Sequence, residues 1–487
     1  MLFNSYIFIL LFLPLCVVGY FGLNHLGRYK AAQAFLLAMS LWFYGYFNPS
    51  YLVIILASIG VNFLFTRLFS KTQQPSLRKM LLLAALLFNL GILFYFKYYD
   101  FFLENVNAIF SLSLTFKNIL LPLGISFFTF QQISYVVDAY RGEVTKYPFL
   151  QYASFVAYFP QLIAGPIVTH DELIPQFLDL SKKKFNWDNF AKGIFLFAMG
   201  LAKKVLIADT FGNAANLGFA NPFTLDATNA LIVSLSYTIQ IYFDFSGYCD
   251  MATGIGNMMN IDLPQNFHSP YKALTITEFW DRWHMTLTRF LTKYIYIPLG
   301  GNRRGTVHTY INILLVFLVS GLWHGDSWTF VLWGLLHGLF SIFTRWQEKL
   351  FHTLPKFLSW AITFSFLNIT WVLFRADTLP DAAYILYQLF AGNFGPVNES
   401  LSAVFLLPEL QFLLKTLPFC AVLQNIPNLW AILFFGLAML LLLVPKNAHQ
   451  HMLSFRPSVK TMLTTYILLV WCILSLSGVS TFLYFNF

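Results

Sequence analysis

The chain has 487 residues, of which 58% are hydrophobic and 10% charged. A typical soluble domain carries about 25% charged residues, so there is too little charge here to cover a water-facing surface. The net charge is +9, but the basic residues are scattered between apolar segments rather than gathered in a stripe, which argues against nucleic-acid binding and for cytoplasmic loops of a membrane protein.

A bilayer core about 30 Å thick needs about 20 apolar residues in a helix. The apolar start, 1–22, has no basic leader and no small-residue cleavage site, so it reads as a retained span. Candidate spans fall at 5–23, 31–47, 51–68, 80–96, 119–137, 149–167, 190–208 and 229–245, then at 309–322, 328–343, 357–374, 401–422, 429–444 and 462–485. They predict an all-α polytopic membrane protein of about a dozen transmembrane or re-entrant helices. Arg28 and Lys30 mark the first loop, no charge marks the second, and Arg67, Lys71, Arg78 and Lys79 mark the third. Basic loops stay in the cytoplasm, which puts the N-terminus outside. The run 182–184 and the pair Arg303 and Arg304 are further cytoplasmic candidates. Cys16, Cys249, Cys420 and Cys472 form no CxxC or Cys/His spacing and read as small buried hydrophobes. With no solenoid repeat and no long polar linker, the chain reads as one membrane domain. Its stretches are N-terminal spans (1–120), a core (121–376) and C-terminal spans (377–487). No soluble catalytic domain is available, so any chemistry belongs to the membrane body or to a partner.

Polar groups inside apolar spans cost a few kcal/mol per charge and mark function by default. In 121–134, Pro122 and Gly124 break a helix, and Gln131, Gln132 and Ser134 follow; the alternatives are function or interhelical hydrogen bonding. In 159–166 two prolines bracket Gln161, which reads as a structural re-entrant turn. In 240–250, Gln240 and Asp244 close an apolar span, and Asp244 is either a buried ion-pair partner or part of a site. In 278–305, aromatic and basic residues interleave, including Arg282, His284, Arg289, Arg303 and Arg304. That pattern fits membrane-surface anchoring, and its basic groups also suit the phosphates of a nucleotide-type cofactor. In 321–328, His324 and Asp326 lie between two apolar runs, with Gly321 and Gly325 flanking the histidine. An imidazole can accept a proton near neutral pH, so His324 is the foremost candidate for chemistry. His337 lies thirteen positions further, which is not the i, i+4 pair of a helical zinc site, and no HExxH occurs. No metal is expected.

The ordered blocks LPLGISFFTFQQISY, FPQLIAGPI, YTIQIYFDFSGYCDMATGIG, LPQNFHSPYKALTITEFWDRWHMTLTRFL, YIYIPLGGNRRG and GLWHGDSWTFVLWGLLHG run through 121–338, and ITWVLFRA follows at 369–376. Together they resemble the bacterial branch of the membrane-bound O-acyltransferase (MBOAT) family, most closely the alginate and peptidoglycan O-acetylation membrane proteins. The resemblance implies a helical fold with a central tunnel. It puts the family's invariant histidine on His324, in WHG, and its second histidine on His284, in RWH. It also implies acetyl-CoA as a cytosolic acyl donor that is not held permanently. The acceptor it implies is an extracytoplasmic SGNH-like acetyltransferase or similar polysaccharide-modifying partner, and the location is the bacterial cytoplasmic (inner) membrane, with lipid around the protein. The family pattern has a small residue such as Ala after WHG, where this chain carries Asp326; that acid either touches His324 or faces water.

The expectation is therefore that His324 acts as general base and His284 assists. Gln131, Gln240, Asp244 and Asp326 are candidates to line the tunnel, and Arg282, Arg289, Arg303 and Arg304 to hold the phosphates of CoA. D-alanyl transfer to teichoic acid, lipid or protein acylation, and a transporter built on broken helices are the competing readings.

Overall fold

The structure, a computed structural model, describes residues 1–144, 146–348, 353–416, 426, 428–476 and 481–483. Every regular element among them is helical. A π turn, Phe8–Phe12, leads into α1 (Leu13–His25), followed by α2 (Tyr29–Gly45), α3 (Ser50–Lys71) and α4 (Pro75–Leu93). A second π turn, Phe94–Tyr98, joins α4 to α5 (Tyr99–Phe110). Then come α6 (Ile125–Arg141), α7 (Phe149–Ala157), α8 (Phe159–Leu162), α9 (His170–Leu178), α10 (Trp187–Ala202) and α11 (Asp209–Ala220). The central helix is α12 (Ala227–Met258), and two short helices follow, α13 (Ile276–Arg282) and α14 (Met285–Leu291). α15 (Thr306–His324) and α16 (Trp328–Trp346) form a hairpin. After it come α17 (Lys356–Arg375), α18 (Leu379–Ala391), α19 (Glu399–Ala403), α20 (Pro408–Thr416), α21 (Leu429–Leu443), α22 (Ala448–Leu453) and α23 (Val459–Leu474).

Among the described residues, five helical stretches are long and apolar enough to cross a membrane: Phe8–His25, Ser50–Lys71, Pro75–Phe110, Thr306–His324 and Lys356–Arg375. Leu83, Leu87 and Leu90 form an exposed stripe at helical spacing on the third of these, as a lipid-facing surface requires. This is a multi-pass membrane protein, but fewer than a dozen helices meet that length, and the differences have physical causes. The expected span 119–137 begins as a helix only at Ile125, because Pro122 lacks an N–H and Gly124 turns left-handed at φ 68°. A Cβ on Gly124 would lie 2.8 Å from the carbonyl oxygen of Leu162, so this break packs directly on the other one. The span 149–167 stops at Ala157 and re-enters as the short buried helix α8. The span expected to end at Phe245 continues to Met258 instead. Parts of 401–422 and 462–485, and Cys420, lie outside the described residues; Cys16, Cys249 and Cys472 are free and buried.

Almost all of α12 is buried. It crosses α10 antiparallel through two glycine pairs. A Cβ on Gly193 would sit 2.5 Å from the carbonyl oxygen of Gly254, and one on Gly200 would sit 2.6 Å from that of Gly247. Small residues at heptad spacing let two backbones touch where lipid supplies no hydrophobic drive. Charge closes the same seam. Lys203 pairs with Asp250 at 2.6 Å, while Lys204 pairs with Asp244 at 2.6 Å and with Asp209 at 2.9 Å.

Candidate active site

His324 is the last residue of α15 and only 2% exposed. The hairpin that carries it is drawn tight by Gly321 and Gly334. A Cβ on Gly321 would lie 2.4 Å from the carbonyl oxygen of Phe330, and one on Gly334 would lie 2.4 Å from that of Phe317. Gly325, the next residue, lies against the Phe330 ring, where a Cβ would come within 2.0 Å. Aromatic rings wall the imidazole: Trp323 at 4.8 Å, Phe374 at 5.1 Å and Trp333 at 5.3 Å between centroids.

His284 joins α13 to α14 with a left-handed φ of 45°, rare for a residue with a Cβ. Asn266 holds it there. The Asn266 Oδ1 accepts from the Thr286 amide at 3.2 Å and the Thr286 hydroxyl at 2.9 Å, and lies 3.2 Å from His284 Nδ1. The Asn266 amide nitrogen donates to Cys249 Sγ at 3.3 Å, which fixes Oδ1 as the acceptor. His284 Nδ1 therefore carries the proton and Nε2 is the basic nitrogen. His284 is fully buried, edge-on to Phe245 at 4.8 Å and to Trp323 at 5.9 Å. Two histidines forty positions apart in sequence thus both pack on one indole, Trp323.

A third histidine is engaged in structure. His337 Nδ1 accepts from Trp280 Nε1 at 3.3 Å, and its Nε2 donates to the Thr370 hydroxyl at 3.0 Å. Thr370 in turn donates to the carbonyl of Phe366, so the tautomer is set from both sides.

Cavities lie among the residues around the two histidines. One of about 260 Å³ is lined by Trp280, Asp281, Ser320 and Arg345. It shares Trp280, Asp281, Thr288 and Thr292 with one of about 440 Å³ that has Arg289 and Lys293 at its wall. A separate cavity of about 660 Å³ is lined by Gln240, Asp326, Phe330, Phe374, Arg375 and Lys204, among others. The imidazole touches Phe374, a wall of the last, and Trp333, whose ring meets Trp280 of the first at 5.8 Å. Aromatic contacts thus link His324 to a wall residue of each cavity, directly through Phe374 and by way of Trp333 to Trp280.

The remaining sequence candidates are distributed as follows. Gln240 and Asp326 face the 660 Å³ cavity, with the Gln240 amide resting on Gly212. Asp244 forms the buried pair with Lys204 and also accepts from the Leu483 amide at 2.9 Å. Gln131 donates to the carbonyl of Phe155 at 3.0 Å, which Gln161 also uses at 2.8 Å, so both glutamines tie the broken helix at α8. Arg282 is held by Glu278 at 2.6 Å and by the carbonyl of His268. Arg289 grips Glu172 with both nitrogens, at 2.5 and 2.8 Å, at the mouth of the 440 Å³ cavity. Arg303 and Arg304 are exposed, on the loop before α15. The aromatic residues of α13 and its C-cap do not anchor at a membrane surface. Phe279, Trp280 and Trp283 are buried, because Trp283 packs on Trp371 at 5.2 Å and Trp280 on Trp333. No group of three His, Cys, Asp or Glu among the described residues is placed to hold a metal ion. Asn266 carries no signal in the sequence, whereas Lys97, a lysine inside the apolar run 92–99, carries the same kind of signal as His324.

The model of the membrane-bound O-acyltransferase family matches residues 107–376, which include both histidines and the cavities' main walls. The peptidoglycan O-acetyltransferase of Helicobacter pylori is 44% identical over 423 residues, covering 81% of this chain and 80% of its own length. The probable alginate O-acetylase AlgI of Pseudomonas aeruginosa is 38% identical over 399 residues, covering 80% of this chain and 74% of its own. The teichoic acid D-alanyltransferase of Bacillus subtilis stands further off, at 27% over 280 residues and 53% of this chain. With more than half of its length matched by the family and its histidines gathered on one indole in a helical membrane body, this chain belongs to the membrane-bound O-acyltransferase family and is an acyltransferase.

Proposed function

We propose that this protein is an O-acetyltransferase of the bacterial inner membrane. It takes an acetyl group from cytosolic acetyl-CoA and passes it across the membrane for O-acetylation of an extracytoplasmic polysaccharide, with peptidoglycan the first choice. The observation that supports this reading is the packing of His324 on Phe374, a wall of the 660 Å³ cavity, and on Trp333, whose ring meets Trp280 of the 260 Å³ cavity. A donor entering from one side and an acceptor from the other would meet at one basic nitrogen. The choice of acetyl and of peptidoglycan draws on the likeness to the Helicobacter pylori enzyme.

In the reaction, His324 takes the proton of the acceptor hydroxyl as that oxygen attacks the thioester carbonyl. The C–S bond breaks, and the imidazolium returns the proton to the CoA thiolate. His284, with Nδ1 committed to Asn266, orients the reacting groups through Nε2. Arg289, joined by Lys293, stands at the wall of the 440 Å³ cavity and receives the phosphates of CoA by exchanging Glu172 for them. The acceptor hydroxyl belongs to an SGNH-like partner or to another polysaccharide-modifying protein, which docks over the cavity lined by Asp326 and Arg375.

The test uses full-length protein in lipid nanodiscs, offered radiolabelled acetyl-CoA or a D-alanyl carrier-protein thioester, with peptidoglycan fragments and the partner supplied. Label transferred from acetyl-CoA alone is the expected result. Transfer from the carrier protein alone would replace this reading with D-alanyl transfer, the activity of the more distant relative.

A further inference from the structure

The last turn of a helix leaves its carbonyls without amide partners. In α15 the final backbone bond runs from the Gly325 amide to the Gly321 carbonyl, so the carbonyls of Leu322, Trp323 and His324 need donors from elsewhere. All three find them on one π turn, Phe94–Tyr98, between α4 and α5. Tyr98 donates its hydroxyl to Leu322 O at 2.6 Å. Lys97 donates its ammonium to Trp323 O at 2.6 Å and to His324 O at 3.1 Å, with Ser126 Oγ at 3.5 Å. Lys97 is 5% exposed, so its amine is buried at the negative end of a helix dipole, where a positive charge is favoured. A π turn adds a residue to the helical turn and is frequent at functional sites; here it presents Lys97 and Tyr98 together to the end of α15.

A buried ammonium needs an opposite charge nearby. Asp326 lies two positions beyond His324, whose carbonyl Lys97 holds at 3.1 Å, so it is the acid that the chain brings next to this end of α15. It is itself solvated at the wall of the 660 Å³ cavity. This gives the acid a task at a position where the family pattern has a small residue.

We propose that Lys97 is a positioning residue for His324, fixing the end of the histidine-bearing helix through its two carbonyls, and that Asp326 is the counter-charge that keeps Lys97 in that role. The proposal rests on the reading of His324 as the base. Neither group touches the reacting atoms, and the consequence is on turnover rather than on donor binding.

The experiment measures kcat and KM for acetyl-CoA, with thermal unfolding as a check, on full-length Lys97→Met, Lys97→Arg, Asp326→Ala and the double variant Lys97→Met/Asp326→Ala, beside His324→Ala. A base misplaced by about 1 Å costs about 100-fold in rate, so Lys97→Met lowers kcat by about that factor while KM moves less than about twofold. Lys97→Arg, which still bridges two carbonyls, recovers most of the loss. Asp326→Ala lowers kcat roughly fivefold, and the double variant is no slower than Lys97→Met, because the counter-charge has nothing left to serve. A folded Lys97→Met with wild-type kcat overturns the proposal, as do additive losses in the double variant. Where Lys97→Met does not fold, Lys97→Arg and Asp326→Ala decide: wild-type kcat in Asp326→Ala, or an inactive but folded Lys97→Arg, overturns it. A fully active His324→Ala is a separate failure, that of the base assignment itself.

Discussion

The glycine contact of the α15–α16 hairpin sets the position of His324, and Gly321→Ala tests how tightly. The new Cβ would stand 2.4 Å from the Phe330 carbonyl oxygen, about 1 Å inside the 3.4 Å at which ordinary contact begins. The obstacle is backbone, and Gly334 on the facing helix is 3.3 Å from the same point, so no side-chain rotation relieves it. The helices must part by about 1 Å, one turn before His324, whose ring packs on Trp333 of the other helix. Overpacking of this kind costs about 1–3 kcal/mol of stability, and a 1 Å displacement of the base costs about 100-fold in rate. The assay is the initial rate of label transfer from acetyl-CoA in nanodiscs, with thermal unfolding measured in parallel. Gly60→Ala is the control, since nothing lies within 4 Å of its Cβ; its rate and stability are expected to stay at wild type. Wild-type kcat in a folded Gly321→Ala would refute the idea that this contact positions the base.

Asn266→Ala strips the acceptor from His284 Nδ1 and from Thr286. A buried donor left unmade costs about 1–3 kcal/mol, so kcat should fall about 10- to 100-fold, read in the same assay; an unchanged rate removes Asn266 from the site. Asp244→Asn breaks the buried pair with Lys204, which costs about 3–5 kcal/mol. It should show as lost yield and a lower unfolding temperature, whereas normal stability with lost transfer would return Asp244 to the list of substrate-lining residues. Lys183 lies in the loop after α9, where burial beside Tyr20 pushes its ammonium down to about 8 despite the nearby Asp179. The unfolded chain holds that proton up to the ordinary lysine range, so stability rises with pH from about 8 to 10.5. Lys183→Met should therefore raise the unfolding temperature at pH 7, by a margin that shrinks above pH 8; a margin independent of pH would contradict the assignment.

His324 was legible because a polar side chain between two apolar runs has few bland explanations in lipid, and the break at 159–166 was legible because proline cannot continue a helix. What stayed hidden depends on partners remote in sequence. The span ending at Phe245 looked finished because Asp244, Ser246 and Asp250 crowd its end. It continues because Lys203 and Lys204 neutralise the two acids and Gly247 and Gly254 seat on α10. The stretch 278–284 looked interfacial, since nothing in its own pattern announces Trp333 and Trp371 as packing partners. Lys97 resembles a lysine that snorkels to the membrane surface; only the fold puts the end of α15 above it. Asn266, an asparagine in an irregular segment, has no local signature of the left-handed histidine it supports.

In the proposed reaction one imidazole, that of His324, performs the transfer. Its most direct test is single-turnover acetyl transfer from radiolabelled acetyl-CoA by purified His324→Ala, with wild-type expression and unfolding temperature confirmed beforehand. No transfer above the uncatalysed background is expected, with donor binding retained through Arg289 and Lys293. Transfer at the wild-type rate would overturn the role of His324.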